Sequence, residues 1–293
     1  MKLSGPIGKA MKDLMHLRCQ NGLEKPATGE IMKKLGFIGM GNMASAILLG
    51  AVKSGFLKGE ETIAYDPNDS KLNGLNRECG MAKATSIPDV IDNSEMILLA
   101  VKPKNVENIL SENRDQLKNR TLLSVAAGWQ YNRFRRFLDI STHICAIMPN
   151  TPAMVGEGMS IIEATNDLSP KEMAFTRQLF AALGQVEELS SDLMGIGGTL
   201  SGCAPAWVFM MIEALADGAV YYGLPRDIAY RLASQTVLGS GKMVRDTGMH
   251  PGKLKDDVCS PGGITIRGVK ALEEGGLRIA MMNAMDAAYK KPD

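Results

Sequence analysis

A glycine-rich turn carries the first chemical signal in the sequence. Gly39-x-Gly41-x-x-Ala44 follows a short apolar run that ends at Ile38 and precedes a helical pattern. In such a turn the first glycine permits a tight bend, the second lets the backbone approach a pyrophosphate, and the alanine allows close helix packing. The pattern predicts a dinucleotide-binding turn, although a plain strand-to-helix turn is the open alternative. The predicted contacts are Gly39, Met40, Gly41, Asn42 and Met43.

An acidic residue further along the chain supports this prediction. Asp66 ends the second predicted strand, where a carboxylate would hold the hydroxyls of the adenosine ribose. A carboxylate at this place favours NAD and repels a 2′-phosphate. Asn68 and Lys71 lie nearby and could soften that preference, although solvated turn residues are the plainer interpretation.

We expect the nicotinamide half of the cofactor at the ends of two later strands. Ligands bind at the carboxyl ends of strands in such sheets. Small residues and a proline there let a flat ring lie against the backbone, and Lys102 is expected only to line the site. The two stretches are Ala100, Val101, Lys102 and Pro103, and Ala126, Ala127 and Gly128.

The first two thirds of the chain alternate between predicted strands and helices. The apolar runs are mostly continuous, as in strands buried on both faces of a parallel sheet. Ser169, Pro170 and Glu172 predict a helix start with an N-cap, a first-turn proline and a capping box. The pattern predicts a Rossmann-like, doubly wound α/β sheet. Predicted strands are Leu35–Met40, Thr62–Tyr65, Met96–Val101, Leu122–Ala127, Ile144–Met148 and Ser160–Ala164, and the clearest crossover helix is Met43–Ser54.

The sequence changes character after about Ser190. Helical spacing is found over Ala204–Tyr222, Arg226–Thr247 and Gly276–Lys290, with no clear strand signal between them. Residues 1–31 lack both a regular period and the apolar run of a signal peptide. We therefore predict an extension outside the fold at 1–31, an NAD(P)-binding domain at 32–190 and an all-helical domain at 191–293.

The overall composition narrows the possible functions. A net charge of +1 gives no electrostatic case for nucleic acid or anionic membrane partners. No stretch approaches the ~18–20 uninterrupted apolar residues of a membrane helix. The five cysteines are far apart, which argues against a disulfide framework or a Cys-rich zinc site and favours a cytoplasmic location. Only three histidines are present, so we expect no metal site and chemistry supplied by a cofactor.

Several motifs resemble those of pyrroline-5-carboxylate reductase, and the resemblance extends from Met32 to the C-terminus. The most specific is Ser260-Pro261-Gly262-Gly263-Ile264-Thr265. The others include the run Gly36–Ala44, Ala100–Pro103, Met148-Pro149-Asn150-Thr151-Pro152, Glu213–Gly218, Gly223–Arg226 and His250-Pro251-Gly252.

This resemblance implies NADPH- or NADH-dependent reduction of 1-pyrroline-5-carboxylate to L-proline, the last step of proline biosynthesis. It also implies a homodimer of intertwined helical domains, often assembled into a decamer. Each active site would then lie between the sheet of one subunit and the helical domain of its partner, so residues 191–293 would serve dimerisation and substrate binding.

The chemistry of a cyclic imine fits these residues. Reduction needs a hydride at carbon and a proton on nitrogen, and near neutral pH the nitrogen can arrive protonated. Thr265, at the position of the family's threonine, would hydrogen-bond that nitrogen in a near-attack geometry. A turn and an ordinary helix residue remain the open alternative for this motif. The predicted substrate-binding residues are Val258, Ser260, Gly262, Gly263 and Thr265.

The sequence departs from the family pattern at a few positions. Cys203 and Ala204 replace smaller residues, Ala146 stands where an arginine is usual, and Asp66 stands where Ser, Thr or Asn is frequent. The first three bear on substrate fit, and Asp66 bears on a pure NADPH preference. Two alternative functions remain open. The first is another imine reductase or a β-hydroxyacid dehydrogenase-like enzyme, for which Lys242 is the candidate acid/base. The second is a non-catalytic nucleotide-binding oligomer.

Overall fold

A single eight-stranded sheet dominates the first part of the chain, in a computed structural model that describes residues 32–289. The strand order is β3-β2-β1-β4-β5-β6-β7-β8. Strands β1 to β6 run parallel, β7 pairs antiparallel with β6, and β8 pairs parallel with β7. The strands are β1 (Lys33–Ile38), β2 (Thr62–Tyr65), β3 (Ala82–Lys83), β4 (Ser94–Leu99), β5 (Thr121–Ser124), β6 (His143–Met148), β7 (Gly158–Glu163) and β8 (Gly184–Leu189).

Helices connect the strands and then form the rest of the described chain. The connecting helices are α1 (Asn42–Lys53), α2 (Asp69–Cys79), α3 (Ile87–Asp92), α4 (Pro103–Glu112), α5 (Tyr131–Phe134) and α6 (Pro170–Ala181). Short 3-10 turns lie at Gly59–Glu61 and Thr151–Val155. The helical region contains α7 (Met194–Tyr221), α8 (Arg226–Thr247), α9 (Pro251–Asp257), α10 (Ile264–Glu274) and α11 (Leu277–Tyr289).

The core lies on both faces of the sheet. Alternate residues of β1 divide between them, with Leu35 and Phe37 in one apolar cluster and Ile38 in the other. In β4, Leu98 and Leu99 divide in the same way. Burial on both faces explains why these strands read as continuous apolar runs, and the predicted doubly wound α/β sheet is confirmed.

The element boundaries differ from the sequence predictions in a few places. The carboxyl ends of β1, β4 and β5 come two or three residues earlier than predicted. Two strands were missed. β3 has two residues, and β8 is a polar edge strand in which Gln185, Glu187 and Glu188 are exposed. The capping box at Ser169 and Glu172 is confirmed.

The helical region buries little apolar surface of its own. Its central pair, α7 and α8, packs through small side chains such as Ala216, Ala229 and Ala233. Large apolar side chains on α7, including Phe209 and Met210, are exposed. This face therefore lacks a covering layer within one chain.

Helix α7 is the longest helix of the described chain. By length and composition it is long and apolar enough to cross a membrane, but Thr199 and Ser201 interrupt its apolar residues, which agrees with the prediction that no stretch approaches ~18–20 uninterrupted apolar residues. It begins at Met194, ten residues before the predicted start at Ala204. The core helices of soluble proteins meet the same criterion, and α7 packs against β7 and α8.

The predicted division of the chain falls in the connection between the two regions. β8 ends at Leu189 and α7 begins at Met194. The boundary between 190 and 191 stays a prediction, and the predicted extension at 1–31 lies outside the described residues.

Candidate active site

The glycine turn is held in a shape that only a small residue permits at its first position. Gly39 has a φ of +87°, and its N–H donates to the carbonyl of Tyr65 at 2.8 Å. A Cβ atom at this position would lie 2.9 Å from the Ala100 carbonyl oxygen and 2.7 Å from Val101 Cγ1. The turn is therefore fixed between β2 and the end of β4.

The second glycine leaves the start of α1 open. Gly41 is the N-cap of α1 in an extended conformation, with no side-chain hydrogen bond capping the helix. A Cβ here would come no closer than 4.0 Å to the Ala100 carbonyl oxygen, its only near neighbour. The first amides of a helix have no acceptor within the helix and favour an anion. Asn42 and Met43 present such amides at this turn.

Asp66 has a structural role that the sequence analysis missed. Its Oδ2 accepts a hydrogen bond from the Met40 backbone N–H at 2.7 Å, and its Oδ1 accepts one from the Asn68 N–H at 2.9 Å. The carboxylate thus ties the glycine turn to the end of β2. An Asp with Asn two positions later is a frequent turn arrangement, but the bond to Met40 spans 26 residues and has no local signal.

The two predicted nicotinamide stretches lie at the same edge of the sheet. Ala100 follows β4, and its N–H donates to the Ile38 carbonyl at 2.9 Å. Lys102 is the exposed N-cap of α4. The indole N–H of Trp129 donates to the Pro103 carbonyl at 3.1 Å, which joins the two stretches. The structure therefore gathers these stretches, the glycine turn and Asp66 at the carboxyl ends of β1, β2, β4 and β5.

The Ser260 to Thr265 motif forms a tight turn that leads into α10. The Gly263 N–H donates to the Ser260 carbonyl at 3.0 Å, and Gly262 has a φ of +69°. Proline followed by a left-handed glycine is the arrangement of a type II turn. Gly263 is then the N-cap of α10 without a side-chain capping bond. Thr265 and its neighbour Ile264, 80% exposed, lie in the first helical turn.

One chain does not bring the two halves of the predicted site together. The motif that carries Thr265 lies in a region where α10 packs chiefly against α11. Val258, Ser260 and Thr265 are all exposed. The glycine turn instead lies against β2 and the end of β4.

The unusual residues lie in different surroundings. Ala146 is buried in β6 beside Ser124 of β5. Cys203 is exposed on α7, and Ala204 lines an apolar groove of about 370 Å³ with Trp207 and Met281. None of these three contacts the glycine turn in the hydrogen bonds of the described residues.

Two ion pairs of interest lie away from the carboxyl ends of the strands. Lys242, the candidate acid/base of the alternative enzyme class, is exposed on α8 and pairs with Asp246 one turn later. At the amino ends of the parallel strands, Glu172 pairs with His143, the first residue of β6, at 2.9 Å. Burial opposes ionisation of Glu172, but hydrogen bonds from Ser169 and Thr121 outweigh it and lower its pKa.

Within residues 32–289, no group of three His, Cys, Asp or Glu side chains is placed to hold a metal ion. His250 caps α9, where its Nδ1 accepts a hydrogen bond from the Gly252 N–H at 3.0 Å.

The two regions of the chain match two family models, and the relatives that match across both regions are pyrroline-5-carboxylate reductases. Residues 191–293 match the family described as pyrroline-5-carboxylate reductase dimerisation, and residues 34–128 match NADP oxidoreductase coenzyme F420-dependent. The chain is 41% identical over 262 residues to pyrroline-5-carboxylate reductase of Escherichia coli, covering 89% of this chain and 97% of that protein. The enzyme of Arabidopsis thaliana is 40% identical over 259 residues, covering 88% and 94%.

A solved structure gives the same result for the fold. The crystal structure of Plasmodium falciparum pyrroline carboxylate reductase with NADP bound superposes with a TM-score of 0.79 at 31% identity. The match covers 89% of this chain and 97% of that chain. Both regions of the present fold are therefore found in that enzyme.

Proposed function

The chain belongs to the pyrroline-5-carboxylate reductase family, and on this premise we propose how its residues carry out the reaction. The protein is an oxidoreductase that reduces 1-pyrroline-5-carboxylate to L-proline with NADPH or NADH, and it forms a homo-oligomer. The observation that carries this function is the 41% identity across 97% of the Escherichia coli enzyme. The alternatives of another imine or hydroxyacid reductase and of a non-catalytic oligomer are disfavoured.

The glycine turn fits the pyrophosphate of the cofactor. Gly41 places no side chain over the open start of α1, so the amides of Asn42 and Met43 face free space for an anion. Met40 contributes shape rather than a donor, because its N–H is already bound by Asp66. Each carboxylate oxygen of Asp66 has a second lone pair, which leaves it able to accept from a ribose hydroxyl as well.

The two stretches at the ends of β4 and β5 line the nicotinamide. Ala100 to Pro103 and Ala126 to Gly128 offer backbone and small side chains against a flat ring. When bound, the reduced nicotinamide supplies the hydride. The protein's part is to hold the acceptor carbon within about 3–3.5 Å of the donor carbon.

Thr265 is the catalytic residue in this proposal. Its hydroxyl, exposed in the first turn of α10, accepts a hydrogen bond from the protonated ring nitrogen of the substrate. This contact orients the neighbouring carbon towards the cofactor and needs no strong base. The shortage of histidine in the sequence agrees with this requirement.

The substrate carboxylate is assigned to the start of α10. The Gly263 N–H already donates to the Ser260 carbonyl, so this amide serves the turn rather than the ligand. The free donors nearby are the Ser260 hydroxyl and the first amides of α10, which has no side-chain cap. Gly262 gives the turn its left-handed corner, and Val258 offers apolar contact for the ring.

We propose that each site combines two copies of the chain. The Thr265 motif and the glycine turn lie in separate regions of one chain, and Thr265 on one side and Gly41 and Asn42 on the other are exposed. The uncovered apolar face of α7, with Phe209 62% and Met210 67% exposed, supports burial against a second copy. The helical region of the second copy would then place its Thr265 motif at the carboxyl ends of β4 and β5, where the nicotinamide is proposed to bind.

We also propose a cytoplasmic location. Four cysteines in the described chain are free thiols, and the distances between them in sequence give no disulfide framework. This pattern is typical of a reducing compartment.

Steady-state kinetics with both cofactors tests the function directly. Purified protein is expected to oxidise NADPH or NADH only when 1-pyrroline-5-carboxylate is present, with stoichiometric formation of proline. Cofactor binding without turnover on any cyclic imine would instead support the non-catalytic oligomer. Turnover that depends on Lys242 and a hydroxyacid would support the alternative enzyme class.

A further inference from the structure

A proline inside α7 leaves one backbone carbonyl without its usual partner. Helix α7 runs without interruption from Met194 to Tyr221, and Pro205 lies within it. Proline has no N–H, so the carbonyl four residues earlier, that of Ser201, cannot receive the regular helical hydrogen bond. A carbonyl that is shielded from water and left without a donor destabilises the fold.

The side chain of Asn150 supplies the missing donor. Its Nδ2 donates to the Ser201 carbonyl at 2.9 Å, across 51 residues of sequence. Its Oδ1 accepts from the Met159 N–H of β7 at 2.8 Å. Asn150 itself is buried, with 8% of its surface exposed. The amide therefore connects the sheet to the turn of α7 that lacks a backbone hydrogen bond, and both the nitrogen and the oxygen of the amide are hydrogen-bonded.

This connection lies at the edge of the sheet that the proposed cofactor occupies. Asn150 follows Pro149 directly after β6, and β6 is the neighbour of β5, which leads into Ala126. The helix rests tightly on the same strand end. A Cβ atom added at Gly198 would lie 1.8 Å from the Met148 sulfur. The hydrogen bond thus lies one helical turn from the point where α7 contacts the end of β6.

Building on the proposed function, we propose that Asn150 is a positioning residue for hydride transfer. By donating to the carbonyl that Pro205 leaves free, Asn150 holds α7 in a fixed position relative to the carboxyl ends of β4 and β5, where the nicotinamide is proposed to bind. Because α7 also carries the exposed apolar face, its position determines where a second copy can place its Thr265 motif. A misplacement of the reacting groups by about 1 Å can lower a rate about a hundredfold. Loss of this one hydrogen bond is therefore expected to lower kcat.

Asn150→Asp is the first variant. The aspartate keeps an oxygen for the Met159 N–H but presents a second oxygen to the Ser201 carbonyl, which removes the donor. We expect kcat to fall about tenfold to a hundredfold, while the Kd for NADPH changes less than about threefold because the glycine turn is untouched. A purely structural role would change stability and leave kcat per folded oligomer unchanged, which would overturn the proposal.

Asn166→Asp is the matched control. Asn166 also donates to backbone carbonyls, those of Glu163 and Ala164, and accepts from the Leu168 N–H. It lies after β7, at the opposite edge of the sheet, because β7 runs antiparallel to β6. The same chemical change should leave kcat within about twofold of the wild type. An equal loss in both variants would argue against a specific role for Asn150.

A rescue experiment distinguishes the missing donor from general damage. Pro205→Ala restores an N–H that can donate to the Ser201 carbonyl within the helix. In that background, Asn150→Ala and Asn150→Asp should cost several-fold less in kcat than in the wild type. Equal costs in both backgrounds would overturn the proposal. If Asn150→Asp does not fold, the test rests on the cost of Asn150→Ala in the two backgrounds. Thermal unfolding and the oligomer mass show whether that variant is folded and assembled.

The same measurements distinguish a failure of the positioning role from a failure of the proposed function. Absence of wild-type turnover rejects the function, and with it a positioning role in hydride transfer. Normal wild-type turnover with unchanged Asn150 variants rejects only the positioning role.

Discussion

The sheet region and the helical region differ in how much of their apolar surface is buried within one chain. Strands such as β1 bury Leu35 and Phe37 completely, between helices of the same chain. The helices after β8 pack together through alanines and leave Phe209 and Met282 exposed. The sheet region therefore has a complete core in one chain, whereas the helical region needs a second copy to cover its apolar face.

The largest effect is expected from a charge on the uncovered face. Phe209→Glu should separate the oligomer into single chains, because a carboxylate in an apolar interface has no compensating partner. If each site combines two copies, activity should fall more than about a hundredfold in the same variant. Light scattering gives the mass and NADPH oxidation gives the activity.

Ile140→Glu is the matched control for this charge. Ile140 is 79% exposed, but it lies on the sheet region before β6. The variant should keep the wild-type mass and activity. An active single-chain form of Phe209→Glu would contradict the site between two copies.

The second effect concerns the chemical group that the helical region contributes. Thr265→Ala should lower kcat about a hundredfold, because removal of one well-placed hydrogen-bonding group from a transition state costs about 2.7–4 kcal/mol. The Kd for NADPH should stay near the wild-type value, since the cofactor edge belongs to the sheet region. Fluorescence titration measures Kd, and steady-state kinetics measures kcat.

Thr265→Ser keeps the hydroxyl and serves as the control for Thr265→Ala. It should retain most of the wild-type kcat. Full activity in Thr265→Ala would remove the catalytic assignment and leave the motif as a plain turn.

The two regions also differ in how much could be predicted from sequence. In the sheet region, continuous apolar runs located six of the eight strands, and the spacing of Gly39 and Gly41 located the turn. β8 was missed because an edge strand with Glu187 and Glu188 exposed has no apolar pattern. In the helical region, Gly195 and Gly198 concealed the first turns of α7, although Gly198 is what lets the helix approach Met148.

The pairings that complete the site had no local signal. The bond from Met40 to Asp66 and the bond from Asn150 to Ser201 each join residues far apart in sequence. The resemblance supplied the motif at Thr265, but periodicity alone allowed a plain turn there. Contacts of this kind depend on the three-dimensional packing of elements, which spacing within one segment does not encode.

A third, smaller effect lies within the sheet region at Asp66. Asp66→Ser should raise the ratio of NADPH to NADH efficiency by about tenfold, because it removes a charge that repels a 2′-phosphate and an acceptor for the ribose hydroxyls. Loss of the bond to the Met40 N–H should also weaken binding of both cofactors. Asp66→Asn isolates the charge, since its Oδ1 can still accept from one of the two amides. An unchanged ratio in both variants would mean that another residue reads the 2′ position.

The smallest effect is a pH dependence of stability at the opposite edge of the sheet. The pKa of Glu172 is lowered from its ordinary value of 4.5, so the folded state favours the carboxylate. Such a group stabilises the fold above pH 4.5, and that contribution is lost as the pH falls through the lowered pKa.

Urea unfolding of the wild type and Glu172→Gln should therefore differ by about 1 kcal/mol at pH 7, where the charged capping box is intact. The difference should shrink as the pH falls from 5 towards 3. Because Glu172 contacts Ser169, Thr121 and His143, all in the sheet region, the same difference should persist in the Phe209→Glu background. A difference that disappears when the oligomer separates would show that the sheet region also depends on the second copy, and the contrast between the two regions would not hold.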